Sequence, residues 1–283
     1  MVLPGLSSGP LAPSDGRLSR RGFLLAAGAA VSAPALAQVD VGEASNFRSL
    51  IPAGQIEGLA QQQYAELISQ ARRQGVLAQH DDPQLNRLRA IARRLIPQAA
   101  RWNGRASQWR WEVNLLQAPT VNAFCMPGGK IAFFSGLLDR LELSGDEAAI
   151  VMGHEIAHAV REHARARLAK TQSTGIGLSV LSQVLGLGQL GDLAAQAGTK
   201  LLSLSFSRGD EIDADLVGLE LAARGAYRPD ASISLWEKMQ QASQGRNVPS
   251  WRSTHPTGPD RIARLRENVP KVQGLYEQAA RGG

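Results

Sequence analysis

Two histidines and a glutamate at residues 154–158 have the spacing of a metal site. His154 and His158 lie four positions apart, and Glu155 follows the first of them. In a helix, side chains at i and i+4 project from one face, so both imidazoles can bind one ion. Neutral imidazole is a common zinc ligand, and the adjacent carboxylate suits the role of a base toward water. The segment therefore predicts a zinc site with Glu155 as general base.

The flanking residues predict the helix that carries this pattern. Ser144 precedes Asp146 and Glu147, and a hydroxyl followed by an acidic first turn is typical of a helix start. From Ala159 to Lys170 the chain contains neither Pro nor Gly, so we expect the helical character to continue. The alternative is a buried helix with two incidental histidines.

A catalytic zinc site needs a third protein ligand and one open position. The pattern that takes a third histidine from the same segment is excluded, because Arg161 and Ala164 stand where it requires Gly and His. Glu211 and Asp215 lie at i and i+4 on a later predicted helix. Glu211 would bind zinc, and Asp215 could accept a hydrogen bond from a ligating histidine. The alternative for Glu211 is a surface carboxylate paired with Arg208.

The elements that must position these residues predict a mostly helical α+β fold. Apolar residues recur near a 3.6-residue period in stretches that predict helices over residues 55–74, 83–102, 207–224, 230–241 and 260–268, and a short helix is predicted over 135–141. Alternating apolar residues predict a strand at 109–115 and two short strands between 121 and 134, joined at Pro127-Gly128-Gly129. We expect an edge strand of this small sheet to lie beside the zinc helix.

The first 37 residues predict an export signal. Arg20 and Arg21 precede an apolar run from Phe23, and residues 35–37 (Ala-Leu-Ala) suit a cleavage site. The paired arginines favour the twin-arginine route, with Sec export as the alternative. The apolar run is too short for a permanent anchor, and no cysteine follows it for lipid attachment. We expect a periplasmic chain without a transmembrane helix.

Composition and charge limit the other classes of protein that the chain could belong to. The net charge is +6, but Lys and Arg are scattered without a basic tract that interleaves aromatic residues, so we expect no nucleic-acid partner. Cys125 is the only cysteine and is interpreted as a core residue. The Gly- and Leu-rich segment 174–206 predicts a helical hairpin packed over the core. The alternatives are a mobile lid or a surface that touches a membrane peripherally.

Four motifs, taken together, resemble the zinc endopeptidase family that includes HtpX, the CAAX prenyl proteases, BepA and the mitochondrial Oma protease. These motifs are Asn122-Ala123-Phe124 with Pro127-Gly128-Gly129, His154 to His158, Ser207-Arg208 with Glu211 and Asp215, and His255-Pro256 with Arg261-Ile262. The resemblance spans residues 122 to 262.

The resemblance implies a zincin-like metallopeptidase domain of the gluzincin type over residues 84–283, preceded by a helical segment at 38–83. It implies one zinc ion per chain, held by His154, His158 and Glu211. It also implies that Glu155 is the general base, that Asp215 is a supporting acid, and that an edge strand at Asn122, Ala123 and Phe124 pairs with an extended peptide substrate.

His255 lies in one of these motifs and has two open roles. It could donate a hydrogen bond to the oxyanion that forms on the scissile carbonyl. It could instead occupy the fourth zinc position and hold the resting enzyme closed until substrate displaces it. A loop histidine bonded to nearby backbone is the third interpretation. His80 and His163 are interpreted as surface residues.

We therefore expect a zinc-dependent endopeptidase that cleaves extended or misfolded polypeptides in the periplasm, in envelope protein quality control. The chain is expected to be a minimal, exported form without the membrane helices of HtpX or the tetratricopeptide array of BepA. The alternatives are a zinc-binding chaperone or adaptor without turnover, and a basic protein that binds anionic lipid surfaces.

Overall fold

The computed structural model of the chain describes residues 39–173, 205–243 and 260–282, together with Trp251 and His255. The predicted signal at 1–37 and nearly all of the Gly- and Leu-rich segment 174–206 lie outside these residues. The described residues belong to one compact unit.

Helices dominate the described part of the chain, as the sequence predicted. They are α1 (Ala53–Arg73), α2 (Pro83–Ala99), α3 (Ser135–Arg140), α4 (Gly145–Val160), α5 (His163–Ser173), α6 (Arg208–Arg224), α7 (Ala231–Ala242) and α8 (Asp260–Arg281). The strands are β1 (Glu112–Leu116), β2 (Ala123–Met126) and β3 (Lys130–Phe134). This arrangement confirms the predicted α+β class.

The three strands form one sheet in the order β1-β3-β2. β1 is parallel to β3, whereas β2 is antiparallel to β3 and is joined to it in a hairpin by the Pro127-Gly128-Gly129 turn. Both turn glycines have positive φ values of 83° and 80°, a conformation that favours glycine. Within this sheet β2 has only one neighbouring strand, so it is an edge strand, and α4 packs beside it.

Two capping boxes define the starts of the helices that carry the predicted ligands. Ser144 accepts from the Glu147 amide before α4, and the Glu147 carboxylate accepts in return from the Ser144 amide. Ser207 and Asp210 make the same reciprocal pair before α6. Each pair satisfies two amides that the first helical turn leaves without partners. The cap at Ser144 agrees with the predicted helix start.

The helical character predicted for residues 159–170 is present, but it is divided between two helices. α4 ends at Val160, and α5 begins at His163 after a break at Glu162, whose φ is 58°. A single residue in the left-handed region terminates a helix and turns the chain. The absence of Pro and Gly does not reveal such a break.

The last helix is longer than predicted, and α2 is shorter. α8 extends to Arg281 through Pro270, because buried Val272 and Leu275 keep its apolar face on the core beyond that proline. α2 ends at Ala99, soon after Pro97. Among the helices of the described residues, none combines the length and apolar character that crossing a membrane requires.

Candidate metal centre

Three helices deliver most of the candidate site. α4 carries His154, Glu155 and His158 within five consecutive positions, and α6 carries Glu211 and Asp215 one turn apart. His255 reaches the same place from the stretch between α7 and α8, and Arg261 comes from the first turn of α8. All of these side chains are buried, and Glu211 is only 1% exposed. That burial excludes the alternative of a surface carboxylate for Glu211.

The donor atoms of four residues converge on one point. His154 Nε2 and His158 Nε2 are 3.1 Å apart. Glu211 Oε1 lies 3.5 Å from His158 Nε2, and Glu211 Oε2 lies 3.7 Å from His154 Nε2. His255 Nδ1 lies 3.4 Å from His154 Nε2 and 3.0 Å from Glu211 Oε1. A tetrahedral ion with bonds of about 2.0–2.1 Å separates its donors by about 3.3 Å, so these four atoms fit a zinc ion.

The charge states of these donors also suit a divalent cation. Burial lowers the pKa of His154 and lowers that of His158 well below its usual range, which keeps both rings neutral. Burial alone would raise the pKa of Glu211, but His255 and His158 outweigh it and hold the carboxyl well below its usual range. The site thus offers two neutral nitrogens and a carboxylate anion, a donor set used by catalytic zinc sites.

Asp215 and Arg261 contact the candidate ligands His154 and Glu211 and hold them in position. Asp215 Oδ1 lies 3.0 Å from His154 Nδ1, a position that orients the other ring nitrogen toward the metal centre. Arg261 donates to both carboxylate oxygens of Asp215 at 2.6 and 2.7 Å, and its Nη1 lies 2.8 Å from Glu211 Oε2. The guanidinium also stacks 3.6 Å from the centroid of the Trp236 ring. Arg261 therefore connects the candidate ligand Glu211 to Asp215, the carboxylate that orients the candidate ligand His154.

Glu155 lies beside the donor cluster without belonging to it. Burial raises the pKa of its carboxyl to about 7, with His255 opposing and Glu211 adding to the shift. The backbone of Cys125 on β2 also opposes the rise in this pKa. A carboxylate with a pKa near neutrality can exchange protons in both directions.

His255 faces two carboxylates at once. Nδ1 points to Glu211, whereas Nε2 lies 3.7 Å from Glu155 Oε1, and the ring stacks on Trp251 with centroids 4.2 Å apart. Burial alone would lower the pKa of His255, but the charges of Glu155 and Glu211 outweigh it and raise the pKa. An ion bound at the centre would compete with that proton.

The edge of β2 adjoins this cluster. Phe134 N–H donates to the Asn122 carbonyl at 3.1 Å, and hydrogen bonding alternates along an antiparallel pair, so Ala123 and Cys125 direct their backbone groups to the outer edge. The Ala123 amide N–H donates to the Asn122 side-chain oxygen Oδ1 at 3.0 Å. A cleft runs along this edge and is lined by residues 122–127, Glu155, His158, Phe206 and His255.

Four further residues form the walls and supports of the site, and sequence reasoning missed their roles. His163 is buried at 4% exposure, so its interpretation as a surface residue was wrong. It contacts His158 and Asp213, while Phe206 stacks on the His158 ring at 4.0 Å and Trp251 stacks on His255. The only signal for His163 was its position five residues after a predicted ligand. Cys125, by contrast, is buried in β2, which confirms its interpretation as a core residue.

The fold and the donor set define a zinc metallopeptidase. The family model of Peptidase family M48 matches residues 83–269, and the chain belongs to that family. The resemblance stated from the four motifs is thereby confirmed, and zinc is the metal of this family.

Several curated proteins are similar to the chain. It is 36% identical over 169 residues to the mitochondrial metalloendopeptidase OMA1 of Schizosaccharomyces pombe, which covers 59% of the chain and 49% of that protein. Identity to the Arabidopsis thaliana OMA1 is 38% over 151 residues, covering 53% of the chain and 30% of the relative. Identity to the β-barrel assembly-enhancing protease of Escherichia coli is 29% over 177 residues, which cover 59% of the chain and 36% of that protein. The chain spans about half or less of the length of these relatives.

Proposed function

We propose that this chain is a zinc-dependent endopeptidase that cleaves extended or misfolded polypeptides. One observation carries the proposal. Buried donors on His154, His158 and Glu211 converge near Glu155, a carboxylate outside the donor set, and beside the edge of β2 that has no neighbouring strand in the described sheet. A structural zinc site does not require that additional carboxylate, whereas hydrolysis does.

His154, His158 and Glu211 would hold the ion. Zinc bound there supplies a Lewis acid that lowers the pKa of water and polarises a carbonyl group. Glu155 takes a proton from the attacking water and later returns it to the leaving amine. Its pKa of about 7 suits both transfers near neutral pH. Asp215 keeps His154 in the tautomer that presents Nε2 to the metal.

The substrate strand would add to the outer edge of β2. Asn122, Ala123 and Phe124 form the part of that edge nearest the start of the hairpin, and the Ala123 carbonyl faces outward there. Main-chain hydrogen bonds of this kind recognise extended backbone, so folded proteins are poor substrates and unfolded chains are good ones. The cleft that passes Glu155 and His255 supports this path.

Two roles are possible for His255 within the proposed mechanism. Its Nδ1 lies among the zinc donors, which supports the role of a fourth ligand that closes the resting enzyme. Its Nε2 lies near Glu155, so a modest rotation could also direct an N–H at a developing oxyanion. We favour the closed resting state for this structure, with displacement of His255 by substrate as the activating step.

The cellular setting follows from the sequence. A cleavable signal at residues 1–37 would direct the chain to the periplasm, and residues 38–83 would precede a peptidase domain at 84–283. Similarity to a protease named for β-barrel assembly supports a role in envelope protein quality control. Peripheral membrane contact through residues 174–206 and the absence of a nucleic-acid partner complete this proposal.

Cleavage of unfolded casein by the purified chain tests the activity. We expect chelator-sensitive cleavage that zinc restores, with little cleavage of a stably folded protein. A chaperone or adaptor would hold unfolded casein without cleaving it. A basic lipid-binding protein would bind anionic vesicles in a salt-sensitive way that chelator does not change. Either of the last two results, without cleavage, would contradict the proposal.

A further inference from the structure

A second histidine lies behind the ligand His158. His163 Nδ1 is 3.0 Å from His158 Nδ1, and His163 Nε2 is 3.3 Å from Asp213 Oδ2. His158 and His163 are both buried, and the Asp213 side chain is 14% exposed. The three groups form a continuous line from the metal centre to α6.

The break between α4 and α5 creates this contact. In a continuous helix, a residue five positions after His158 would lie well away from its face, because successive residues turn by about 100°. The left-handed conformation of Glu162 redirects the chain, so that His163, the first residue of α5, comes back against His158. A strained φ of this kind, in a residue other than glycine, needs a compensating contact.

Asp213 is fixed independently of His163. Arg161 Nε donates to Asp213 Oδ2 at 2.8 Å, and Arg161 Nη2 donates to the Gly42 carbonyl at 2.9 Å. The carboxylate is therefore held in place as an acceptor for the Nε2–H of His163.

One tautomer of each ring satisfies all of these contacts. If His158 presents Nε2 to the metal, its Nδ1 carries the proton and donates to His163 Nδ1. His163 then carries its own proton on Nε2 and donates it to Asp213. His154 has the corresponding support in one step, because its Nδ1 lies 3.0 Å from Asp215. Thus α6 supplies an acceptor for each ligating histidine, Asp215 directly and Asp213 through an intervening ring.

We propose that His163 and Asp213 are positioning residues for the metal centre, which hold His158 in its zinc-binding tautomer and orientation. The proposal rests on His158 being a zinc ligand, as proposed above. The tests of the His163 and Asp213 roles measure zinc affinity rather than cleavage. A chain that binds zinc normally but cleaves nothing would contradict the proposed activity, and it would not contradict the positioning roles of His163 and Asp213.

The first test replaces His163 in the full chain and measures the zinc dissociation constant by competition with a chromophoric chelator. His163→Leu removes the acceptor and should weaken zinc binding about 10–100-fold. His163→Asn places an amide oxygen near the position of Nδ1 and should restore most of the affinity. His80→Leu is the matched control, because His80 is exposed and lies on the loop before α2. It should bind zinc as the unaltered chain does.

A cobalt-substituted sample gives a second readout. The visible absorption of bound Co²⁺ reports ligand geometry, so His163→Leu should change the bands and His163→Asn should largely retain them. Equal zinc affinity in His163→Leu and His80→Leu would overturn the proposal. Equal weakening in His163→Leu and His163→Asn would also overturn it, because packing rather than hydrogen bonding would then be responsible.

Asp213→Ala keeps the test decisive if His163→Leu does not fold. This variant keeps both imidazoles and removes the acceptor for His163, so zinc binding should weaken. Asp139→Ala on α3 is the control, because Asp139 is exposed and its carboxylate accepts a hydrogen bond from the Gln84 side chain, far from the metal donors. An affinity in Asp213→Ala equal to that of Asp139→Ala would overturn the proposed support.

Discussion

Gly153 on α4 and Gly218 on α6 bring the two helices that carry the candidate zinc ligands into direct backbone contact. A Cβ atom on Gly153 would lie 2.6 Å from the Gly218 carbonyl oxygen, and one on Gly218 would lie 2.6 Å from the His154 amide nitrogen. Glycine at both positions lets the helices approach closely enough for Glu211 to face His154 and His158.

Gly153→Ala and Gly218→Ala should therefore separate α4 and α6. We expect a loss of about 1–3 kcal/mol in the free energy of unfolding, as for other overpacked sites, together with weaker zinc binding. Gly58→Ala on α1 is the matched control, since nothing lies within 4 Å of its added Cβ. It should stabilise the chain slightly, because alanine is the better helix former. Urea unfolding and chelator competition measure both effects, and normal zinc affinity in Gly153→Ala would contradict the argument.

Glu211→Ala should lower retained zinc sharply from about one ion per chain. The variant removes an anionic donor from a site that otherwise offers only neutral imidazoles, which bind a divalent cation less strongly. Metal content after dialysis measures the effect. Glu237→Ala, on the exposed surface of α7, should keep the full zinc content. Full retention by Glu211→Ala would show that another residue supplies the third ligand.

Glu155→Gln should separate metal binding from catalysis. The amide is close in size to the carboxylate and Glu155 is not among the clustered donors, so zinc content and fold should persist. Peptidase activity should fall by about 10²–10⁴-fold, the usual contribution of a general base. Casein cleavage and metal analysis on the same sample provide the measurement. Nearly unaltered cleavage would exclude Glu155 as the base.

His255→Ala distinguishes the two roles by sign. If His255 closes the resting site, its removal opens a coordination position and raises basal cleavage. If it stabilises the oxyanion, the change should slow cleavage by about a hundred- to a thousandfold, equivalent to about 2.7–4 kcal/mol. Because His255 Nδ1 lies among the candidate zinc donors, we expect basal cleavage to increase. Unaltered kinetics would contradict both roles.

Asp215→Asn should change how stability depends on pH. Burial opposes ionisation of Asp215, but Arg261 and His154 outweigh it, so its pKa is lowered in the folded chain. Because the unfolded carboxyl has a pKa of about 3.9, its contribution is complete above that value and is lost as the pH falls through the lower, folded pKa. The difference in unfolding free energy between the zinc-free unaltered chain and Asp215→Asn should therefore be largest near neutrality and shrink in acid. A difference that stays constant from pH 7 to pH 3 would contradict this account.

The sequence by itself determined the local parts of the site. The four-residue spacing of His154 and His158 determined that both rings leave one face of α4, and the same spacing joins Glu211 and Asp215 on α6. The helix start at Ser144 and the hairpin at Pro127-Gly128-Gly129 were also predictable from the sequence. Each of these features depends on residues a few positions apart, and backbone geometry relates such residues in a fixed way.

Tertiary structure alone decided how these parts meet. The glycine contact between α4 and α6, the entry of His255 with Nδ1 toward the metal, and the line from His158 through His163 to Asp213 join residues whose packing no local period encodes. The break at Glu162 shows the reason most clearly. No residue type around Glu162 demands a left-handed conformation. The turn brings the buried imidazole of His163 against the candidate ligand His158 and against the Asp213 carboxylate, which lies on a helix that begins 45 residues later.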